Sequence, residues 1–273
     1  MSKAAKGALA LLLGLGVQPG LAQTNGAEGE RPDTFVLNVG GFFINSIDAS
    51  ASARRANGVL GTSIDLERDL DAEERVGVPW LQGYYRFTPH QRIDFSYYRL
   101  ERDGKRTLVN RPIRFGNQTF KVNRSVKTTF KNEVWKLAYT WSFYHVPRVE
   151  LGLTAGVHVT RYEMKLRTTG GAVSQREEVT APLPVLGLRM DYAINRDWHI
   201  LFSNESMYVD LGGDLQGSLN DYRLAVEWRP FQHVHFGLGT NRLSLNANVE
   251  NKDWVGQLDN SYRGFLGYVG MRF

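Results

Sequence analysis

The sequence predicts an all-β protein, a closed antiparallel transmembrane β-barrel of about ten strands, and three observations predict it. Apolar and polar residues alternate over stretches far longer than an ordinary globular strand, the connections between them are alternately short and long, and the chain ends in an aromatic strand. The composition agrees: the 273 residues are 42% hydrophobic, 12% aromatic and 22% charged, with a formal charge of +5 and no cysteine. Such a chain is too apolar for disorder and lacks the makings of a disulfide scaffold. Mean hydropathy is -0.34, and no apolar stretch nears the 18 or so residues that cross a bilayer as a helix. A spanning strand needs only about 9 to 11 residues, so strands remain the available way across.

The N-terminus reads as an address. Lys3 and Lys6 precede an apolar run from Ala8 to Val17, and Gly20-Leu21-Ala22 offers the small residues of a cleavage site. Residues 1–22 are therefore expected to be a signal peptide, 23–33 a flexible polar lead, and 34–273 the barrel domain.

From Thr34 the period changes to two. The expected strands are 34–56, 78–87, 92–102, 127–145, 149–167, 178–194, 198–210, 217–229, 233–248 and 258–273. The first is the least defined, since Ala49 to Arg55 reads equally as loop or as a separate strand, and counts of eight or twelve stay open. The second and third flank Thr88-Pro89-His90-Gln91, a polar turn. In the fourth, Trp135, Leu137, Tyr139, Trp141 and Phe143 alternate with Val134, Lys136, Ala138, Thr140 and Ser142, giving a greasy face and a small, polar one. The fifth repeats the design with Leu151, Leu153, Ala155, Val157 and Val159, and only Val146-Pro147-Arg148 separates the two. Asn195-Arg196-Asp197 joins the sixth to the seventh, and Pro230-Phe231-Gln232 the eighth to the ninth. Longer connections are expected near 57–77, 103–126, 168–178, 211–216 and 249–257. Four short turns plus both termini at one end give the count of ten.

A soluble β-sandwich would alternate in the same way, with its apolar face turned inward. Export without cysteine, strands of seventeen or more residues, and aromatics gathered at the strand ends favour the barrel. Phe87, Trp141, Phe143, Trp198 and Trp228 form the expected girdle near the short turns, with Tyr97 and Tyr162 toward the other rim.

The C-terminus carries the most specific signal. Phe265, Val269, Met271 and the terminal Phe273 share one face, which resembles the closing-strand signature of bacterial outer-membrane β-barrel proteins. Length, strand count and turn asymmetry also resemble the small A-, X- and W-type barrels of that superfamily. The resemblance implies a Gram-negative outer membrane, short periplasmic turns, longer extracellular loops, and recognition of the last strand by the barrel-assembly machinery. It transfers a fold and no activity.

In that frame the inward face carries charge of both signs: Arg92, Asp94, Lys136, Glu150, His158, Arg189, Asp191, Glu205, Asp221, Arg223, Glu227 and Arg229. Buried charge needs partners or water, so an ionic network across the lumen is expected. Such a network either fills the interior or lines a narrow small-solute pore, with Gly152, Gly156, Gly187, Gly237 and Gly239 leaving room for water.

Two loops differ in charge. Lys105, Arg106, Arg111, Arg114, Lys121 and Arg124 fall in a run without acids, suited to the phosphates of lipopolysaccharide, or simply solvated. Within it, Val109 to Lys121 with Gly116-Asn117 reads as a small hairpin. Asp65, Glu67, Asp69, Asp71, Glu73 and Glu74 form the other cluster. It lacks the glycine of a twelve-residue calcium loop, and a helix capped at Ser63 or contact with the basic loop explains it more simply. No metal, cofactor or nucleic-acid partner is expected, and the sequence leaves oligomeric state open.

The expected role is thus structural or that of a narrow channel, with outer-membrane lipid and lipopolysaccharide as partners. An outer-membrane enzyme, lipid-modifying or proteolytic, with a site at the outer rim is the alternative. The strand count resembles a ten-stranded outer-membrane protease family, yet no Asp-x-His pair corresponds to its catalytic half. His158, with Ser203 and Glu205 facing it across the lumen, is the remaining candidate.

Overall fold

The computed structural model describes residues 33–55, 64–73, 75–108, 112–115, 118–210, 215–250 and 254–273. The expected signal peptide, and the lead apart from Asp33, lie outside the described residues. In chain order the elements are β1 (Phe35–Arg55), β2 (Ile64–Asp65), α1 (Leu66–Leu70), β3 (Val76–Thr88), β4 (Gln91–Thr107), β5 (Ile113–Phe115) and β6 (Gln118–Phe120). There follow β7 (Ser125–Val146), β8 (Val149–Thr168), β9 (Ser174–Ala193), β10 (Trp198–Asp210), β11 (Leu215–Trp228), β12 (Val234–Glu250) and β13 (Trp254–Arg272).

The main sheet holds eleven strands, one of them the two-residue β2 that only flanks β1; the other ten form the wall. Each wall strand pairs antiparallel with its neighbour in the chain. The last returns to the first from Val36–Arg272 to Arg55–Trp254, which closes the cylinder and removes both sheet edges. The ends are stitched there: Phe35 N–H donates to the Phe273 carbonyl at 3.0 Å and Phe273 N–H to the Phe35 carbonyl at 2.9 Å. Ten is the observed count, and 49–55 continue β1 as a strand.

Several local expectations shift. Strands β4 and β7 run closer to each other's ends than expected, so Lys105 and Arg106 belong to the wall and the connection shrinks to 108–124. The small hairpin is there as β5 paired with β6, its Gly116-Asn117 turn lying outside the described residues. The loop helix starts later than expected, with Asp65 rather than Ser63 as its cap: Arg68 N–H donates to Asp65 Oδ1 at 2.7 Å. Asp71 ends it in the left-handed region, at φ 53°.

The wall has two storeys. Toward the short turns, outward side chains are apolar and exposed, among them Trp135, Leu137, Tyr139 and Trp141 on β7 and Phe265, Val269 and Met271 on β13. Phe87, Phe143, Trp198 and Trp228 ring the turn end, as expected of an interfacial girdle. Exposure of so many large apolar groups over one continuous band requires hydrocarbon around it. Toward the loops the pattern inverts. On β7 the outward positions become Glu133, Lys131, Thr129 and Lys127 while Val134, Phe130 and Val126 turn inward and are buried; β8 changes in step, with Arg161, Glu163, Lys165 and Arg167 outside and Tyr162, Met164 and Leu166 inside. Tyr162 is therefore a core residue and not the rim aromatic expected from the sequence. The upper storey is a water-facing sheet with an apolar interior.

Candidate functional site

The interior follows the same division. In the turn-end storey the inward residues build a dense polar layer. Arg86 Nη2 donates to Glu150 Oε1 and Oε2 at 2.8 and 3.0 Å, and Ser142 Oγ also donates to Glu150. Arg92 Nε reaches Asp94 Oδ2 at 3.3 Å, Thr140 Oγ1 donates to the same oxygen at 2.6 Å, and Arg189 Nη2 lies 3.4 Å from Asp94 Oδ1. Lys136 Nζ bonds Asp221 and stands 3.6 Å from Glu205, whose other contact is His158 Nε2 at 2.8 Å. Nearer the turns, Asp191 takes His199 Nδ1 at 2.8 Å and Arg229 Nη2 at 3.3 Å, and Arg229 also pairs with Glu227 at 2.7 Å. Arg223 Nη1 donates to Gln82 Oε1 at 3.0 Å.

All twelve charged residues singled out from the sequence thus face inward and touch a polar partner. Arg86, Gln82 and Asn38 belong to the same layer and were not singled out. The signal was present: Trp80, Gln82, Tyr84 and Arg86 share one parity of a strand whose other parity reads Leu81, Gly83, Tyr85 and Phe87.

Little space remains. Cavities of about 50 Å³ beside Arg92, Glu150, Arg189 and Arg229 and about 40 Å³ beside Lys136, Glu205 and Asp221 have room for a few waters each. The inward glycines do not open the lumen as expected, because neighbours fill the places their side chains would take. A Cβ on Gly237 would lie 2.1 Å from the Tyr268 ring, and one on Gly156 2.5 Å from the Ala138 Cβ. Glycine here permits close approach of the opposite group.

His158, Glu205 and Asp221 bring one ligand atom each to within 4.8 Å of one another. The Lys136 ammonium already contacts both carboxylates of that cluster. His158 is buried beneath the apolar storey, far from the outer rim. The sequence's Asp197-Trp198-His199 is an Asp-x-His string, and it sits at the turn end with His199 directed at Asp191.

Above the polar layer, Phe42, Ile44, Trp80, Tyr98, Leu100, Phe130, Val134, Leu219, Leu243, Tyr262 and Leu266 pack across the lumen. Tyr98 and Tyr262 join their hydroxyls in the middle of it. Leu66 and Leu70 of α1, Ile113 of β5 and Phe120 of β6 close it from the loop end. The acidic loop is fastened from below: Arg102, its side chain fully buried, donates from Nη2 to Glu67 Oε1 at 2.5 Å and from Nε to the Glu73 carbonyl at 2.6 Å. Glu67 Oε2 also accepts from Ala49 N–H at 3.1 Å, and Arg106 donates to the Arg68 carbonyl. Glu67 is thus an anchor of a cap, and Asp65 caps its helix.

On the outside of the upper storey, Lys105 of β4 stands opposite Lys127 of β7, and Lys127 opposite Arg167 of β8. Lys165 lies on the same face two residues below Arg167. Among the described residues none of these four pairs with a carboxylate. Arg114 is on β5, Lys121 and Arg124 flank β6 and β7, and all three are exposed; Arg111 lies outside the described residues.

No family model matches the sequence, and no curated protein does. Among solved structures the chain is similar to the outer membrane protease OmpT from Escherichia coli, with a TM-score of 0.56 and 11% identity over 87% of this chain and 97% of that one. The transport unit of the autotransporter AIDA-I from Escherichia coli gives 0.41 and 7% identity over 91% and 93% of the two chains. Neisserial surface protein A gives 0.33 and 14% over 88% and 97%. The closed ten-stranded wall, its apolar belt and the first of these likenesses identify the chain, in fold, as an outer-membrane β-barrel of the Gram-negative type.

Proposed function

We propose that this protein is a non-conducting outer-membrane barrel whose loop-end wall binds polyanions, the phosphates of lipopolysaccharide first among them. One observation carries the reading. Three adjacent strands set Lys105, Lys127 and Arg167 side by side on the water-facing side, in register and without carboxylate partners among the described residues. Like charges placed directly opposite each other cost stability in a sheet, so a row of three is a feature that an anionic ligand would relieve. The filled lumen supports the non-conducting half: a polar layer with space for a few waters lies beneath a packed apolar layer and a cap. The outward Phe265, Val269, Met271 and Phe273 suit recognition of the last strand by the barrel-assembly machinery.

The test is titration of the refolded protein with purified lipopolysaccharide at two salt concentrations. Replacing Lys105, Lys127 and Arg167 with glutamine should weaken binding roughly tenfold or more, at up to about 1 kcal/mol for each exposed ionic contact. It should also flatten the dependence on salt. Equal affinity of the wild type and the triple variant would refute the assignment.

A further inference from the structure

The upper edge of the belt differs from one side of the wall to the other. On β4, β7, β8 and β9 the first charged outward positions beyond it are tied down: Arg99 and Lys131 to Glu101, Arg161 to Glu178, and Glu133 to the Tyr97 hydroxyl. On β12 and β13 those positions are Arg242 and Arg263, which stand directly opposite each other in the ladder and are both exposed. Among the described residues neither arginine has an ion pair or a side-chain hydrogen bond. Like charges in register cost a sheet stability, and an anion held between them would relieve that cost.

Successive rows of the ladder here step from apolar to cationic to hydroxylated. Phe43, Phe265 and Thr240 share one outward row, with Phe265 61% exposed, and Leu238 in the row beneath is 73% exposed. The next row is Ser46, Arg263, Arg242 and Tyr222. Beyond it come Asp48, Ser261 and Ser244, then Ser50, Asp259 and Asn246. A bulge at Asn45 produces this alignment, since the extra residue moves the outward parity of β1 from Phe43 to Ser46 and Asp48. The outward side chains of the last two rows line a surface recess of about 520 Å³, with Arg68 of α1 at its side. Such a lining of hydroxyls, a carboxamide and carboxylates suits groups that both donate and accept, as sugar hydroxyls do, and repels a second anion.

We propose that this strip holds the head of an acylated sugar phosphate from the surrounding membrane. Its acyl chains lie against Phe43, Leu238 and Phe265, one phosphate sits between Arg242 and Arg263, and the sugar hydroxyls enter the recess. Guanidinium forks meet phosphate oxygens in pairs, and two forks on strands roughly 4.8 Å apart can take one phosphate from both sides. A sugar that carries acyl chains and a phosphate brings the three chemistries together in the order of the rows. A lipid with a bare phosphate satisfies two of them and leaves the recess to water. The site is separate from Lys105, Lys127 and Arg167: β13 is the fourth strand round the wall from β7, and Lys127 lies four outward positions beyond Trp135 whereas Arg263 follows Phe265 directly. Neither assignment rests on the other.

The full chain is refolded into phosphatidylcholine vesicles, and its urea midpoint is measured alone and with lipid A (an acylated glucosamine phosphate), dephosphorylated lipid A, phosphatidic acid or inorganic phosphate. A ligand bound by the folded chain alone raises that midpoint. Lipid A should raise it most and phosphatidic acid less, while dephosphorylated lipid A and inorganic phosphate should leave it nearly unchanged. Arg242→Gln with Arg263→Gln should fold as well as the wild type without lipid, because it removes a like-charge pair, and should need roughly tenfold more lipid A for half the effect. Ser244→Phe, which fills the recess, should bring the response to lipid A down to that of phosphatidic acid. Glutamine at Lys105, Lys127 and Arg167 should leave the response whole. No response of the wild type to lipid A, an equal response of the arginine double variant, a response to phosphatidic acid as large as that to lipid A, or loss of the response only with Lys105, Lys127 and Arg167 would each overturn the proposal.

Discussion

Val134 and Trp135 are consecutive residues of β7 that mark the change of storey: Val134 is 1% exposed inside the apolar layer and Trp135 55% exposed on the outer surface. One residue further toward the loops, Glu133 takes the outward position and accepts a hydrogen bond from the Tyr97 hydroxyl at 2.9 Å. The Tyr97 and Trp135 rings lie 4.2 Å apart beneath that bond. An amphipathic aromatic pair with its polar tip directed to water is what a bilayer interface selects.

Leu137, one outward position below Trp135, faces hydrocarbon. Leu137→Arg should therefore cost roughly 2 to 4 kcal/mol of folding free energy in a bilayer, whereas Lys131→Arg on the same parity should cost nearly nothing. Heat-modifiable gel mobility after refolding in vesicles reads the difference, and equal yields would contradict the face assignment.

Phe130 is buried among Tyr162 and its neighbours in the upper storey, with ring centroids 6.0 Å apart. Phe130→Ala should lose roughly 3 to 5 kcal/mol, as in the core of a soluble protein. The loss should show as faster proteolysis of the loop end while the belt stays inserted. Unchanged resistance of that end would show that the upper layer is not a packed core.

The sequence conveyed the wall well and the interior by half. Alternation in 134–143 and 149–160, the four short turns and the terminal phenylalanine define the strands closely, because a period of two and a tight turn are local properties. The inward charges were equally legible as the second parity of the same strands. The inversion at Val134 was not: 127–145 was expected as one strand with a single outward parity, and the period of two runs unbroken through Lys127 to Glu133 while the apolar residues change sides. The cap was hidden for another reason: the contact of Glu67 with Arg102 joins residues 35 positions apart and leaves no periodicity. The end of the β9–β10 ladder at Leu186–Ser206 was visible in principle, since Pro182 and Pro184 inside an expected strand have no N–H to give to it.

Lys136 holds two buried carboxylates. Lys136→Met leaves Asp221 and Glu205 short of a cation, with Asn241 Nδ2 at 2.7 Å from Asp221 and His158 at 2.8 Å from Glu205 as the remaining partners. A loss of roughly 3 to 5 kcal/mol is expected in urea unfolding. Lys136→Met combined with Asp221→Asn should recover a large part of it, and a double variant no better than the single would show that the charge balance is not what matters.

Asp65 makes the cap sensitive to acid. Partial burial alone would raise its carboxyl, but hydrogen bonds from the Arg68 backbone and side chain outweigh it and hold the group below its ordinary value of 3.8. A depressed value in the folded state means the stabilisation is fully present above that ordinary value and is lost as pH falls through the lower one. Asp65→Asn keeps an N-cap without the charge, so amide exchange over 66–72 in the wild type should accelerate relative to this variant below about pH 4. Parallel behaviour of the two at all pH values would remove the capping role.

The most direct measurement of the two-storey wall is a cysteine scan of β7 in vesicles with a water-soluble maleimide, on a chain that has no cysteine of its own. Single cysteines at 127, 129, 131 and 133 should react, and those at 126, 130 and 134 should not. Those at 135, 137, 139 and 141 should also resist, shielded by lipid, and should react once the vesicles are exchanged for a short-chain detergent. Reaction at 130 and 134, or protection at 131 and 133 that detergent removes, would contradict it, for the belt would then continue to the loops around a wet interior.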